Sequence, residues 1–169
     1  MNAYEANRNW SDRFIPHIKQ LVGPHLLDTA PILEDQQRNT DLIVLRMRDT
    51  RIACRVRKAG YASRYPCDIT LRATTPSGGR TELRKVMEGW GDFIFYGFAA
   101  DDYSDQIDRW ILGDLNAFRG WVHFEVVRLG VMPGVLKDNG DGTTFRAFNY
   151  QDIPNFVLAS SDVGVGTLF

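Results

Sequence analysis

Cysteine is scarce in this sequence, two in 169 residues, and there are only three histidines. Cys54 and Cys67 have no CxxC or paired Cys/His spacing, which excludes a zinc-ribbon or zinc-finger site. His17, His25 and His123 are scattered and read as helix or loop residues. No apolar run approaches the roughly 18 residues of a membrane span, so no membrane partner is expected. The opening "MNAYEANRNW" lacks a basic stretch followed by an apolar one, so no secretory signal is read there and a cytoplasmic location is expected. In that compartment the two thiols are expected as small buried side chains rather than as a disulfide. No GxxxxGK[ST], strand-linked GxGxxG or GxSxG is present, and "GVGTLF" at the end is too apolar to open a phosphate-binding helix. A net charge of −1 argues against a uniformly basic nucleic-acid binder.

That average conceals a segregation of charge. Residues 46–72 hold eight cations (Arg46, Arg48, Arg51, Arg55, Arg57, Lys58, Arg64 and Arg72) against Asp49 and Asp68, a net of +6 that leaves −7 for the remainder. Residues 101–114 carry five aspartates against Arg109 alone. Seven of the eight cations in the basic segment are arginine, the side chain whose planar fork suits phosphate or carboxylate. Within it, "RIACRVRK" (51–58) alternates. As a strand it sends Arg51, Ala53, Arg55 and Arg57 to one face and Ile52, Cys54 and Val56 to the other. A row of guanidinium groups on one strand face calls either for internal carboxylates (Asp41, Asp68, Glu82 or Glu88) or for an external anion.

Length and a hydrophobic fraction of 44% fit one soluble domain. Residues 9–22 predict a first helix with Phe14, Ile18, Leu21 and Val22 inward, ended by Gly23-Pro24, and with Pro16 acceptable only in a first turn. A strand at 41–47, a polar turn and a strand at 51–57 predict a hairpin, followed by a strand at 67–73 that puts Asp68, Thr70 and Arg72 on one face. Thr81 caps a helix carrying Leu83, Val86, Met87 and Trp90, ended by Gly89 or Gly91. A strand at 92–99, buried on both faces, pairs with one at 109–115. Asp114 caps a helix with Leu115, Phe118, Trp121, Val122 and Val126 inward, and 144–148 adds a further strand. The expected architecture is a single α/β (α+β) domain, a mixed sheet flanked by helices.

Three groups of residues carry candidate chemistry. Glu34, Asp35 and Asp41 bracket an amide-rich loop, and Asp41 opens the most apolar strand, where carboxylate oxygens suit Mg²⁺. Arg51, Arg55 and Arg57 meet Arg72 if their strands are sheet neighbours, and bidentate arginines grip phosphate without reading base identity. Glu82 and Lys85, three apart, share a helix face that can line the same concavity.

Helix, three-stranded meander, helix and strand over about residues 9–98 resemble the core of the PD-(D/E)XK nuclease superfamily, with 109–158 as a C-terminal strand and helix extension. Asp41 in "NTDLIVL" matches the first Asp of the motif. The Glu-x-Lys positions fall on Ala53 or Arg55 and on Arg55 or Arg57, and an alternative register places them on Asp68 and Thr70. "TDLIVLRMRDTRIACRVRK", "DITLRA" and "RWILGDL" also resemble uncharacterised phage and prophage proteins. The resemblance implies a restriction-endonuclease-like core engaging nucleic-acid phosphates through Arg51, Arg55, Arg57, Arg72 and Lys85. It further implies Mg²⁺-dependent phosphodiester hydrolysis with Asp41, Asp68, Glu34, Asp35 and Glu82 around the metal and with Arg55 and Arg57 stabilising the phosphorane-like charge. The alternative expectation is a non-catalytic phage accessory or anti-defence protein that contacts a host protein through the acidic 101–108 loop and Tyr103.

Overall fold

Pro16 decides the start of the fold. In the computed structural model, which describes residues 3–29, 42–44 and 50–161, the expected helix over 9–22 is two helices, α1 (Ala3–Asp12) and α2 (Ile15–Val22). A proline ring would collide with the carbonyl four residues back in a continuous helix, so the chain breaks at Arg13–Phe14 and Pro16 falls in the first turn of α2. The break turns Phe14, Ile18 and Val22 onto a sheet, where all three are buried. A 3₁₀ turn (Gly23–Leu26) leads to β1 (Leu27–Thr29), which pairs antiparallel with β2 (Leu42–Val44).

Among the described residues the expected hairpin pairing is absent. β2 pairs with β1, whereas β3 (Ile52–Arg57) lies parallel to β5 (Phe93–Ala99), Ile52 opposite Phe93 and Arg57 opposite Phe98. Between them the chain makes a short helix α3 (Tyr61–Arg64), β4 (Asp68–Thr74) and α4 (Glu82–Met87). The three strands expected as a meander therefore lie in separate sheets. β5 continues antiparallel into β6 (Ile107–Asp114), then α5 (Leu115–Leu129), β7 (Val135–Asp138), β8 (Thr144–Asn149) and β9 (Val157–Ser160). Beside the β1-β2 pair, one larger sheet has the order β3-β5-β6-β9 and the other β4-β8-β7, so strands expected in one mixed sheet are divided among three. The chain is α+β, and no described helix is long and apolar enough to cross a membrane.

The central strand β5 explains the layering. Phe95 faces the α2 side with Val56, Trp110 and Leu112, while Ile94, Tyr96 and Phe98 face α4, α5 and the second sheet. From that other side Ile69 and Leu71 of β4, Phe118 and Val122 of α5 and Phe148 of β8 complete the main core, each at most 1% exposed. Both predicted caps are formed. Thr81 Oγ1 accepts from the Arg84 amide at 3.3 Å, and Asp114 Oδ1 accepts from the amides of Asn116 and Ala117 at 2.6 and 3.3 Å. Gly113 is required by contact: a Cβ there would sit 2.6 Å from Cε2 of the buried Phe156 ring. The cysteines are free, but Cys54 is exposed and Cys67 half-buried, so neither is the buried thiol expected.

Candidate functional site

The alternation read from "RIACRVR" holds in space. Ile52 and Val56 face the α2 layer, and Ala53, Arg55 and Arg57 point between the two sheets. Their surroundings then diverge. Arg51, exposed at the strand entrance, lays its guanidinium over the Trp90 ring at 5.9 Å, and its amide is bound by Asp92. Arg55 forms an ion pair with Glu82 at the start of α4. The same Glu82 oxygen accepts the Arg72 amide at 3.2 Å, so one carboxylate ties β3, α4 and β4 together. Arg55 is thus satisfied from within the protein.

Arg57 is not, among the described residues. Its Nη1 donates to Thr70 Oγ1 at 3.2 Å, its guanidinium lies 4.4 Å from the Tyr61 ring centroid, and no described carboxylate pairs with it. Thr70 in turn shares a hydrogen bond of 2.9 Å with the hydroxyl of Tyr96, which is 2% exposed. These groups line a cleft of about 270 Å³ at one end of the space between the sheets. Tyr61 and Tyr65 flank it from α3 and the turn after it. Lys137 on β7 also lines it, with its ammonium 5.1 Å from the Tyr65 ring. Asp68 enters the cleft from the start of β4, on the same strand face as Thr70.

The other expected site residues do not gather here. Arg72 is exposed on β4, in the other sheet from β3, and its guanidinium lies towards Asp141. The Asp141 carboxyl is held below its ordinary range, first by the Thr143 hydroxyl and amide and last by Arg72. Lys85 is exposed on α4, and Glu82 is taken up by Arg55. Glu82 reaches β4 at Arg72, four residues from Asp68, so roughly 13 Å of strand separates them. One Mg²⁺ with oxygens at about 2 Å cannot hold both. Glu34, Asp35 and Asp41 lie outside the described residues. Among the described residues no group of three or more His, Cys, Asp or Glu side chains could hold a metal ion.

Tyr61, Tyr65, Tyr96 and Lys137 are not among the residues expected from sequence. "YASRY" beside the basic strand is the available signal for the first two. Tyr96 lies in the apolar run "FIFYGFA", where one hydroxyl is the only polar side-chain atom and needs a partner when buried. Comparison with protein-family models, curated proteins and solved structures finds no match to this chain.

Proposed function

We propose that this protein acts in the cytoplasm as a nucleic-acid-binding protein that holds phosphate in the cleft between its two sheets. The observation that carries the reading is Arg57, a half-buried guanidinium facing a cleft with only a hydroxyl and a tyrosine ring on it among the described residues. A cation in such a place favours an anionic ligand, and the planar fork favours phosphate. Lys137 adds a second positive charge to the cleft lining, which also carries the carboxylates of Asp68 and Asp138. The contact is thereby narrowed from a ladder of four arginines to one arginine with one lysine. Binding of this kind weakens with salt and is nearly indifferent to base sequence.

The resemblance to PD-(D/E)XK nucleases adds hydrolysis to the proposal, and that part has its own conditions. Asp68 is the member of the expected Mg²⁺ ligand set that faces the cleft among the described residues. Further carboxylates would have to join it, and Glu82 is not one of them. The test of binding is a salt series with labelled single- and double-stranded DNA and RNA. Arg57→Met should remove most of the affinity, and absence of binding in the native chain defeats the proposal. The test of hydrolysis is cleavage with Mg²⁺ or Mn²⁺, abolished by Asp68→Asn.

A second reading, contact with a host protein, is favoured by one feature. Tyr103 is 94% exposed on the acidic loop. The Asp101 carboxylate holds that loop in shape, accepting from the amides of Tyr103 and Ser104 and from the Ser104 hydroxyl. An exposed aromatic on a rigid turn suits a protein contact. A stoichiometric partner lost on Tyr103→Ala would support it.

A further inference from the structure

The polar groups at the cleft floor do not balance, and the imbalance says what kind of phosphate fits. Thr70 and Tyr96 bring two hydroxyl hydrogens, and the single bond between them uses one. If Thr70 donates, the Tyr96 hydrogen is left over; if Tyr96 donates, the Thr70 hydrogen is left over. Neither oxygen has a further acceptor among the described residues. Arg57 adds N–H groups beyond the one it spends on Thr70. The Arg57–Thr70–Tyr96 cluster therefore has spare donors, so the ligand group seated on it must supply acceptors, while the carboxylates of Asp68 and Asp138 on the same lining call for donors elsewhere on the ligand. A terminal phosphate monoester, dianionic with three free oxygens, meets that demand better than a bridging diester.

Shape points the same way. The floor is made by Tyr96, Phe98 and Ala147, all buried. A volume of about 270 Å³ is at the small end for ligand sites and suits one nucleotide-sized unit. A strand can end in this cleft but has no exit through its floor. Asp68 is two residues before Thr70 on the same strand face, roughly 7 Å away. It has no hydrogen-bonding side-chain partner among the described residues, and it is the complementary acceptor for a sugar hydroxyl or a base amino group beside the phosphate.

We propose that the cleft recognises a terminal phosphate on a nucleoside, either a free nucleoside monophosphate or the phosphorylated end of a single strand. The proposal rests on the phosphate-binding reading and narrows it to chain ends. The experiment is fluorescence anisotropy on the full chain with 3′-labelled single strands carrying a 5′-phosphate or a 5′-hydroxyl, and with 5′-labelled strands carrying a 3′-phosphate or a 3′-hydroxyl. A nucleoside 5′-monophosphate, the bare nucleoside and inorganic phosphate serve as competitors.

The expected result is about tenfold tighter binding of one phosphorylated end, as fits two or three charge-assisted hydrogen bonds. The monophosphate competes and the nucleoside does not. A monophosphate that binds as tightly as the strand end identifies the free nucleotide as the ligand, and a weaker one identifies the strand. Tyr96→Phe and Thr70→Val each reduce the ratio of phosphorylated-end to hydroxyl-end affinity several-fold. If Thr70→Val does not fold, Tyr96→Phe and the margin variant Lys137→Ala carry the test. Equal affinity for phosphorylated and hydroxyl ends overturns the end selection while leaving phosphate binding in place. No binding of any strand or nucleotide overturns both.

Discussion

Replacing Glu82 by glutamine separates the internal arginine from the one offered to a ligand. Arg55 and Glu82 expose 25% and 31% of their side chains, so their ion pair lies between the surface and the interior. Breaking a fully buried pair costs about 3–5 kcal/mol, and an exposed pair is worth about 0–1 kcal/mol. Glutamine keeps an oxygen for the Arg72 amide and removes the charge facing Arg55. The expected loss for Glu82→Gln is therefore about 1–2 kcal/mol, read as a lowered urea midpoint at unchanged slope. Arg55→Met should cost about as much. The double variant should cost less than the two together, leaving a coupling of about 1 kcal/mol. The same variants are then tested for oligonucleotide binding. Arg55→Met should leave affinity within about twofold and Arg57→Met should weaken it about tenfold or more, which corresponds to about 1.4 kcal/mol. Zero coupling would mean that the pair does not hold the α4 start to β3. Equal losses of affinity in the two variants would mean that Arg55 is as available to the ligand as Arg57, and the assignment of the cleft would fail.

Gly113→Ala should destabilise the protein by about 2 kcal/mol, a fall of roughly 6 °C in thermal midpoint, because the new Cβ overlaps the buried Phe156 ring. Gly120→Ala on α5, with nothing within 4 Å, is the matched control and should stabilise by about 0.5–1 kcal/mol; similar effects at both sites would refute the steric argument. In acid the Asp101 carboxyl, held low first by the Ser104 amide and then by the Tyr103 amide, supplies stability that is complete above its ordinary value of 3.8 and lost as pH falls through its lowered value. Glu88, held low chiefly by Arg84, behaves alike below 4.5. Thermal midpoints of native and Asp101→Asn chains should differ at pH 7 and draw together as pH falls below 3.8, and parallel curves through that acid range would contradict the loop geometry.

Features that depend on near neighbours in the chain are legible in the residues themselves. The period-two alternation of "RIACRVR", the caps at Thr81 and Asp114 and the doubly buried strand at 93–99 are all properties of a few consecutive residues. A strand's choice of partner is not such a property. Proximity in the chain pairs β3 with the strand signal just before it, yet its partner begins 41 residues on, across β4 and α4. That choice depends on which faces can be buried together, and β5, apolar on both faces, takes the central place. β7 and β9 are four residues each and carry too short a pattern to announce themselves.

The candidate site divides along the same line. That Arg55 and Arg57 share a face follows from the chain alone, because side chains two apart on a strand must point the same way. Which of the two meets an acid depends on where α4 begins: its first residue, Glu82, reaches Arg55 and leaves Arg57 to Thr70, Tyr61 and the cleft. Two identical side chains acquire different roles because a packed carboxylate reaches one of them and not the other, and a distance between elements far apart in the chain has no signature in the residues beside each arginine.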